Sequence, residues 1–363
     1  MTAEQAPEQA PEQAPGQAAG QGVRATGIGS WPGEDEREAI RVVLGERAEQ
    51  DDPAAPTRLP HLPELPARGV TAAMTGRALA LVAELGVDLQ PAGWRLTGGG
   101  SGVDHRRARS LLAQDLDALE ELAADYRGPL KVQVAGPWTL AATTEKPRGD
   151  RVLADHGARR DLADALAAGV ADHLAGLRRR LPGVSDWTLQ VDEPVLAAVV
   201  AGRVPTASGY GRHRSVDLPE ARELLGRVLA PAREAGAAAW VHSCAADTPW
   251  RLVREAGADG LLVDAAQLGP ADHDVLAEAL EAGTVVGLGV VPSTDPLPGT
   301  APDERALVER VLRWLDLVGL DPAEVGRHLV VSPSCGLAGA TPAWARRALA
   351  LSAATARHLR SGG

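Results

Sequence analysis

Cysteine is scarce in this sequence: only Cys244 and Cys335 occur among 363 residues. Two cysteines cannot build a disulfide framework, so the chain must be stabilised by its apolar core. Long apolar segments are absent as well, because we find no run of about 18 or more uncharged apolar residues and no signal-peptide pattern at the start. These absences predict a cytoplasmic protein without a membrane span.

Basic side chains are also in deficit, since 37 Lys and Arg face 48 Asp and Glu and give a formal net charge of -11. A nucleic-acid or anionic-membrane partner requires clustered Lys and Arg, and no basic patch stands out. The overall composition, with 45% hydrophobic and 23% charged residues, is ordinary for a soluble globular protein. We therefore expect neither nucleic acid nor a membrane among the partners.

Large apolar side chains are nearly missing from residues 1–22, which repeat the tetrapeptide Ala-Pro-Glu-Gln. Such a segment cannot bury enough apolar surface to offset the entropy lost on ordering. We predict a disordered N-terminal tail over residues 1–22, followed by a single folded domain over residues 23–363.

From residue 23 onward, short apolar runs alternate with amphipathic helical patterns. Eight runs are expected as strands, at residues 23–28, 58–62, 130–134, 187–191, 237–241, 260–263, 284–288 and 328–331. Helices are expected at residues 34–49, 75–85, 104–126, 151–180, 218–235, 248–256, 271–282, 302–318 and 342–358. Short strands that alternate with helices pair in parallel through right-handed crossovers. Eight such units favour an α/β fold, a (β/α)8 TIM-type barrel, over an open sheet.

Three of the expected strands end in side chains that can bind a metal ion. His242 and Cys244 follow one strand, and an extended His-x-Cys segment places both side chains on the same side. Cys335 follows another strand, and Asp264 ends a third. The carboxyl ends of barrel strands share one rim, so these side chains can meet there. This mixed set of nitrogen, sulfur and oxygen atoms predicts a Zn2+ site.

These residues also have purely structural interpretations. A buried cysteine packs as a small hydrophobe, and the adjacent Asp192 and Glu193 are typical of a helix start. We expect Glu193 to cap a helix while Asp192 faces the barrel mouth, where it can pair with an ammonium group. Residues 27–30 either offer backbone amides to a carboxylate or form an ordinary turn. The remaining histidines have no metal-like spacing, and we expect most of them on the surface.

Four motifs occur in a fixed order along the chain. They are Ile28-Gly29-Ser30, Gln190-Val191-Asp192-Glu193-Pro194, His242-Ser243-Cys244 and Ser332-Pro333-Ser334-Cys335-Gly336-Leu337. Together they resemble the C-terminal catalytic barrel of the cobalamin-independent methionine synthase family. The resemblance covers roughly residues 23–360, so the chain looks like a stand-alone catalytic domain without the family's N-terminal half.

The resemblance implies an enzyme, a zinc-dependent methyltransferase that converts homocysteine to methionine. It implies His242, Cys244 and Cys335 as Zn2+ ligands. It also places Asp264 at the position of a fourth ligand. The family usually has Glu there, whose side chain is one methylene longer than that of Asp.

The resemblance further implies where the amino-acid part of homocysteine binds. Its carboxylate would lie against Ile28, Gly29 and Ser30. Its ammonium group would pair with Asp192, the expected catalytic carboxylate, and Glu64 would correspond to a second contact for the same group.

The chain departs from the family's pattern where the methyl donor should bind. The family's folate-stacking Trp corresponds to Thr143 here, although the nearby Trp138 can be considered as a substitute. The family's proton-donating His corresponds to Thr294. A folate leaves readily only when its nitrogen is protonated, whereas a methyl corrinoid needs no such proton. The expected donor is therefore 5-methyltetrahydrofolate or methylcobalamin, and the missing acid weighs against the folate.

The expected chemistry depends on activation of a thiol. A free thiol has a pKa of about 8.5, and coordination to zinc deprotonates it. We expect homocysteine to enter as a thiolate, to displace Asp264 and to attack a methyl group in line. Two alternatives stay open: a related zinc barrel that alkylates another small thiol, and a zinc-binding homologue that has lost catalysis.

Overall fold

The computed structural model of this chain describes residues 22–45, 57–82 and 84–361. The expected tail over residues 1–22 lies outside these ranges apart from Gly22. The last part of the helix expected at residues 34–49 also lies outside the described residues. Both expectations stay predictions.

Ten strands occur in the described part of the chain. They are β1 (Arg24–Thr26), β2 (Arg58–Leu59), β3 (Val87–Gln90), β4 (Gly93–Leu96), β5 (Gly128–Ala135), β6 (Val184–Asp192), β7 (Ala238–Ser243), β8 (Gly260–Asp264), β9 (Val285–Val291) and β10 (Leu329–Pro333). All but β3 and β4 join one parallel sheet, in the order β2-β1-β10-β9-β8-β7-β6-β5. These eight strands correspond to the eight apolar runs of the sequence.

The sheet closes on itself between its two outer strands, β2 and β5. Just past β2, the Leu62 amide donates to the Lys131 carbonyl at 3.0 Å, and the Lys131 amide donates to the Pro60 carbonyl at 2.8 Å. These bonds continue the parallel pattern across the seam, so little of either edge is left unpaired. The (β/α)8 TIM-type barrel predicted from the sequence is confirmed.

Twelve helices flank the strands in the described residues. They are α1 (Glu36–Leu44), α2 (Met74–Leu81), α3 (Val103–Leu122), α4 (Pro137–Thr143), α5 (His156–Arg180), α6 (Leu196–Val200), α7 (Leu218–Glu234), α8 (Trp250–Glu255), α9 (Pro270–Glu281), α10 (Glu304–Leu317), α11 (Pro322–Val325) and α12 (Pro342–Ser361). Several begin at an aspartate whose side chain accepts a hydrogen bond from an amide of the first turn. These caps are Asp35, Asp155, Asp217, Asp303 and Asp321.

The core has two parts because side chains of a strand alternate between its faces. The larger part lies between the sheet and the helices and includes Ala239 and Val241 of β7. A smaller cluster fills the barrel interior and contains Ile28, Leu59, Trp240, Leu262 and Val330. His242 comes two residues after Trp240 and therefore points to the same inner face.

The structure departs from the sequence-based expectation between α2 and α3. Here β3 and β4 form an antiparallel hairpin, in which Val87 pairs with Leu96. Prolines and glycines surround these short strands and obscure their alternating pattern, so the sequence indicated only an irregular segment. The short helices α4, α6 and α11 were not expected either, because seven residues or fewer show little periodicity. Within the described residues, no helix combines the length and apolar character needed to cross a membrane.

Candidate active site

Asp192 and His242 meet at the carboxyl end of the barrel. They end or nearly end β6 and β7, and they lie opposite each other in the strand register. Both side chains are buried, and His242 Nδ1 lies 2.9 Å from Asp192 Oδ1. A carboxylate only accepts hydrogen bonds, so the imidazole donates from Nδ1 and its lone pair lies on Nε2.

His242 Nε2 faces the two cysteines. This atom is buried and has no hydrogen-bond partner. In the described residues, His242, Cys244 and Cys335 are the group whose ligand atoms all lie within 4.8 Å of one another. The two sulfur atoms are 2.8 Å apart. One imidazole nitrogen and two sulfurs around a common point fit the donor set of a tetrahedral zinc site with further positions open.

The two thiols differ in acidity because one donates a hydrogen bond to the other. The hydrogen bond from Cys335 is the main cause that lowers the pKa of the Cys244 thiol to about 6, and burial opposes this fall. The same hydrogen bond, together with burial, raises the pKa of Cys335. A lowered thiol pKa favours the thiolate, which is the form of cysteine that binds a metal ion.

Asp264 ends β8 next to this group but is not a member of it. Its Oδ1 accepts a hydrogen bond from the Ala266 amide at 2.9 Å and so caps the 3-10 turn Ala265–Gln267. Its charge is close enough to Cys244 to oppose the fall in the pKa of that thiol. Only Asp264 Oδ2 remains for a metal ion, and its role as a ligand stays a prediction.

Glu64 is buried at the same rim, close enough to Asp192 for the two carboxyl groups to interact. Its Oε1 lies 3.4 Å from Arg77 Nε, and Arg77 also bonds to the buried Asp115. Burial raises the pKa of Glu64 to about 7; Arg77 opposes this rise and Asp192 adds to it. Two carboxyl groups thus face one region of the mouth, where an ammonium group would be stabilised.

The segment after β1 packs against the segment that carries Cys335. Ser30 Oγ accepts from the Ala338 amide at 3.3 Å, and the Ser30 carbonyl accepts from the Leu337 amide at 2.9 Å. A Cβ at Gly336 would lie 2.1 Å from Ser30 Oγ, so only glycine allows this approach. Ser30 also forms a bridge to Glu64. The predicted carboxylate-binding segment, Ile28 to Ser30, therefore lies between the predicted ammonium site and the cysteines.

Glu193 caps a helix, but not the one that follows it. Its carboxylate accepts from the Trp138 amide at 2.8 Å and from both the amide and hydroxyl of Thr139, at 2.8 and 2.6 Å. These groups begin α4, which follows the neighbouring strand β5. A Cβ at Gly136 would lie 2.3 Å from Glu193 Oε1. Glu193 therefore fixes the rim rather than facing a substrate, and burial raises its pKa to about 7.

The residues expected to contact the methyl donor do not form a comparable site. Trp138 is fully buried, and its Nε1 donates to the Ala221 carbonyl at 2.9 Å, so it cannot stack on a ligand. Thr143 bonds back to the Thr139 carbonyl within α4. Thr294 is exposed in the loop after β9. The suggestion that Trp138 substitutes for the family's Trp is therefore wrong.

Several buried polar residues near the site were missed by sequence reasoning. Lys131 and Gln133 alternate along β5, and Gln190 precedes Asp192 by two residues on β6, so all face the barrel interior. The available signal was a lysine within an otherwise apolar run. The expectation that most other histidines are exposed was also too broad, because His61, His105 and His213 are buried.

Comparison with known proteins bears on this arrangement. The model of the family described as the cobalamin-independent synthase catalytic domain matches residues 128–358. This range includes Asp192 and all three members of the His/Cys/Cys group. No curated protein sequence is similar enough to match.

Solved structures share the fold at low identity. A B12-independent methionine synthase from Shewanella sp. W3-18-1 is 16% identical with a TM-score of 0.46, and the alignment covers 69% of this chain and 66% of that one. The carboxyl transferase domain of Rhizobium etli pyruvate carboxylase is 15% identical with a TM-score of 0.32, over 67% and 38% of the two chains. GH5_18 from Streptomyces cattleya is 15% identical with a TM-score of 0.42, over 94% and 82%. At these values the likenesses carry no argument about function.

Proposed function

The chain belongs to the family of cobalamin-independent synthase catalytic domains, a family of methyltransferases, and from this premise we propose that it is a zinc-dependent enzyme that methylates homocysteine to methionine. The observation that carries the proposal is the group His242, Cys244 and Cys335, within 4.8 Å of one another at the rim of the barrel. We further propose that residues 23–363 act as one catalytic domain.

The proposed ligands are His242 Nε2, Cys244 Sγ and Cys335 Sγ, with Asp264 Oδ2 as the fourth. When bound, zinc would supply a positive charge that lowers the pKa of an incoming thiol. The protein's own residues prepare for this charge, since Asp192 holds the His242 imidazole in the required tautomer. The short side chain of Asp264, already bonded through Oδ1, suits a ligand that is displaced by the substrate.

The amino-acid part of homocysteine is proposed to bind beside this group. Its ammonium would lie between Glu64 and Asp192; both hydrogen bonds that Asp192 makes involve Oδ1, which leaves Oδ2 for the substrate. Its carboxylate would lie on the segment from Ile28 to Ser30. These contacts orient the sulfur towards the cysteines, so that it can attack the methyl group in line as the donor's bond to that group breaks.

The proposed donors are 5-methyltetrahydrofolate and methylcobalamin, and the donor side of the mouth favours the second. Departure of a folate requires protonation of its nitrogen, and Thr294 cannot donate a proton at neutral pH. The buried Trp138 offers no stacking surface. Methyl transfer from a corrinoid requires neither group.

A donor assay tests this proposal. Zinc-loaded protein is incubated with homocysteine and either methylcobalamin or 5-methyltetrahydrofolate, and methionine is measured by mass spectrometry. We expect methionine from methylcobalamin at a higher rate than from the folate. The matched control is Cys335→Ser, which should reduce the rate to background. If neither donor yields methionine, the proposal is wrong. Methylation of another small thiol in the same assay would then identify the related barrel. Zinc binding without any transfer would identify the inactive homologue.

A further inference from the structure

Inside the barrel, a chain of hydrogen bonds runs from Lys131 to His242. Lys131 Nζ donates to Gln190 Oε1 and to the Ile28 carbonyl, each at 2.7 Å. Gln190 Nε2 donates to the same carbonyl at 2.9 Å and to Asp192 Oδ1 at 2.7 Å. Asp192 Oδ1 accepts from His242 Nδ1 at 2.9 Å. We call this set, with its Ile28 anchor, the Lys131 chain.

Burying the polar groups of the Lys131 chain costs free energy that an apolar filling of the same space would avoid. Lys131 and Gln190 are fully buried. Lys131 bonds directly only to neutral oxygens, and burial lowers its pKa to about 7 although Asp192 and Glu64 oppose the fall. An apolar side chain of similar size usually replaces a buried charged group with little loss of stability. The position therefore calls for an explanation beyond packing.

The chain of donors and acceptors has only one possible direction. Lys131 Nζ donates both of its hydrogen bonds and the Ile28 carbonyl can only accept, so the Gln190 amide turns its oxygen to Lys131 and its nitrogen to Ile28 and Asp192. The Asp192 carboxylate has acceptors only, so His242 must donate from Nδ1. The lone pair then lies on Nε2, the buried atom that faces the cysteines. Lys131 and the Ile28 carbonyl together orient Gln190, and Gln190 in turn holds the Asp192 carboxylate against His242.

We propose that Lys131 is a positioning residue that, through Gln190, holds Asp192 in the place from which its carboxylate fixes the tautomer of His242. Through the Ile28 carbonyl it also holds the segment proposed to receive the substrate's carboxylate. The metal-binding and amino-acid-binding parts of the site are thereby joined by one buried group. The part of this inference that concerns zinc rests on the proposed function, whereas the tautomer of His242 does not.

The first test uses metal-free protein. Nitrogen-15 spectra of the histidine side chains, recorded at about pH 8 so that an ordinary histidine is neutral, report which ring nitrogen carries the proton. We expect a single Nδ1–H form for His242 and a mixture of tautomers in Lys131→Met. His242→Gln assigns the signal, because it removes that signal alone. An unchanged Nδ1–H form in Lys131→Met would overturn the inference.

The second test measures zinc affinity by competition with a chromophoric chelator. We expect Lys131→Met to weaken zinc binding about tenfold, at the lower end of the effect of groups that orient metal-binding histidines. In an Asp192→Ala background the same change should alter affinity less than about twofold, because no side-chain oxygen then remains to connect Gln190 to His242. Equal effects of Lys131→Met in both backgrounds would contradict transmission through Asp192.

Two further variants distinguish a loss of His242 positioning from a general loss of protein stability. Gln190→Met breaks the Lys131 chain one step later and should reproduce both effects, which keeps the test available if Lys131→Met does not fold. His105→Leu is the control, since His105 is equally buried and bonds only to the Leu79 carbonyl at 2.9 Å. It should lower stability and leave the His242 tautomer and zinc affinity unchanged. Wild-type protein that shows the Nδ1–H form but binds no zinc would refute the proposed function and leave this inference standing.

Discussion

The two sides of the barrel mouth are built differently. On the thiol side, Asp192, His242 and Cys335 are buried or half-buried, and each bonds to another member of the site. On the donor side, Trp138 belongs to the core and Thr294 is exposed. A group that must hold one orientation needs partners and burial, whereas a surface that only receives a second ligand needs neither. Under the proposed function, the difference means that the chain orients the groups that would prepare a thiol and presents no comparable set of groups to the donor.

The largest expected effect is loss of a thiol-side ligand. Cys335→Ser replaces a soft sulfur by a hydroxyl and should weaken zinc binding by about 4 kcal/mol, roughly 1000-fold, as one share of the binding energy of a four-ligand site. Chelator competition and metal analysis measure the change. Ser334→Ala is the neighbouring control and should bind zinc normally. Equal zinc affinity of Cys335→Ser and wild type would show that Cys335 is not a ligand. The contrast between the thiol side and the donor side would then be unsupported.

The next effect concerns the pH dependence of the ammonium site. The pKa of Glu64 is about 7 in the folded protein. The ordinary pKa of a glutamate side chain is 4.5, so the folded state holds the proton more tightly than the unfolded chain between these two pH values. Wild-type stability should therefore fall as pH rises from about 4.5 to about 7, by up to about 3 kcal/mol relative to Glu64→Gln. Urea unfolding of both proteins at several pH values measures this difference. Parallel stability curves would show that Glu64 is ionised throughout.

A smaller effect should distinguish Asp264 from the other ligands. Asp264→Asn keeps an Oδ1 that can accept from Ala266 but removes the charge, so we expect zinc affinity to fall only about tenfold without a change in stability. The matched control is Asp321→Asn, a cap of the same kind that accepts from the Ala323 amide at 2.8 Å. A loss as large as that of Cys335→Ser would make Asp264 a full ligand, and no loss would leave it a cap alone.

The smallest expected effect tests the donor side. Thr294→His adds a group that can be protonated at neutral pH, and we expect it to raise the rate with 5-methyltetrahydrofolate about fivefold without changing the rate with methylcobalamin. Thr294→Gln is similar in size and polarity but cannot supply the proton, so it should have no such effect. Steady-state rates with each donor provide the measurement. An equal gain with both donors would mean that the position does not act through proton donation.

Sequence reasoning succeeded where the residue pattern within one segment reflects how that segment is buried in the fold. The apolar runs marked all eight barrel strands, because a strand buried on both faces must be apolar along its length. The polar residues that follow these runs, such as His242 and Cys335, share a rim because parallel strands end together. The hairpin of β3 and β4 was missed since its strands are short and interrupted by glycine and proline.

Residue identity by itself was a weaker guide. It did not settle whether Asp264 is a ligand, where Trp138 lies or which groups Lys131 bonds to. Whether a tryptophan faces a ligand or the core depends on how α4 packs against α7, and no spacing within one segment contains that information. A lysine in an apolar run is conspicuous, but its partners, Gln190 and the Ile28 carbonyl, lie 59 and 103 residues away in sequence.

The sequence alone determined the barrel, the position of its reactive rim and the side chains that can bind zinc, because periodicity and strand ends are properties of single segments. The tertiary structure decided which nitrogen of His242 is available, that Glu193 caps α4 and which groups Lys131 bonds to. These outcomes depend on the register between neighbouring strands, which sets the direction of each hydrogen bond and cannot be read from any one segment.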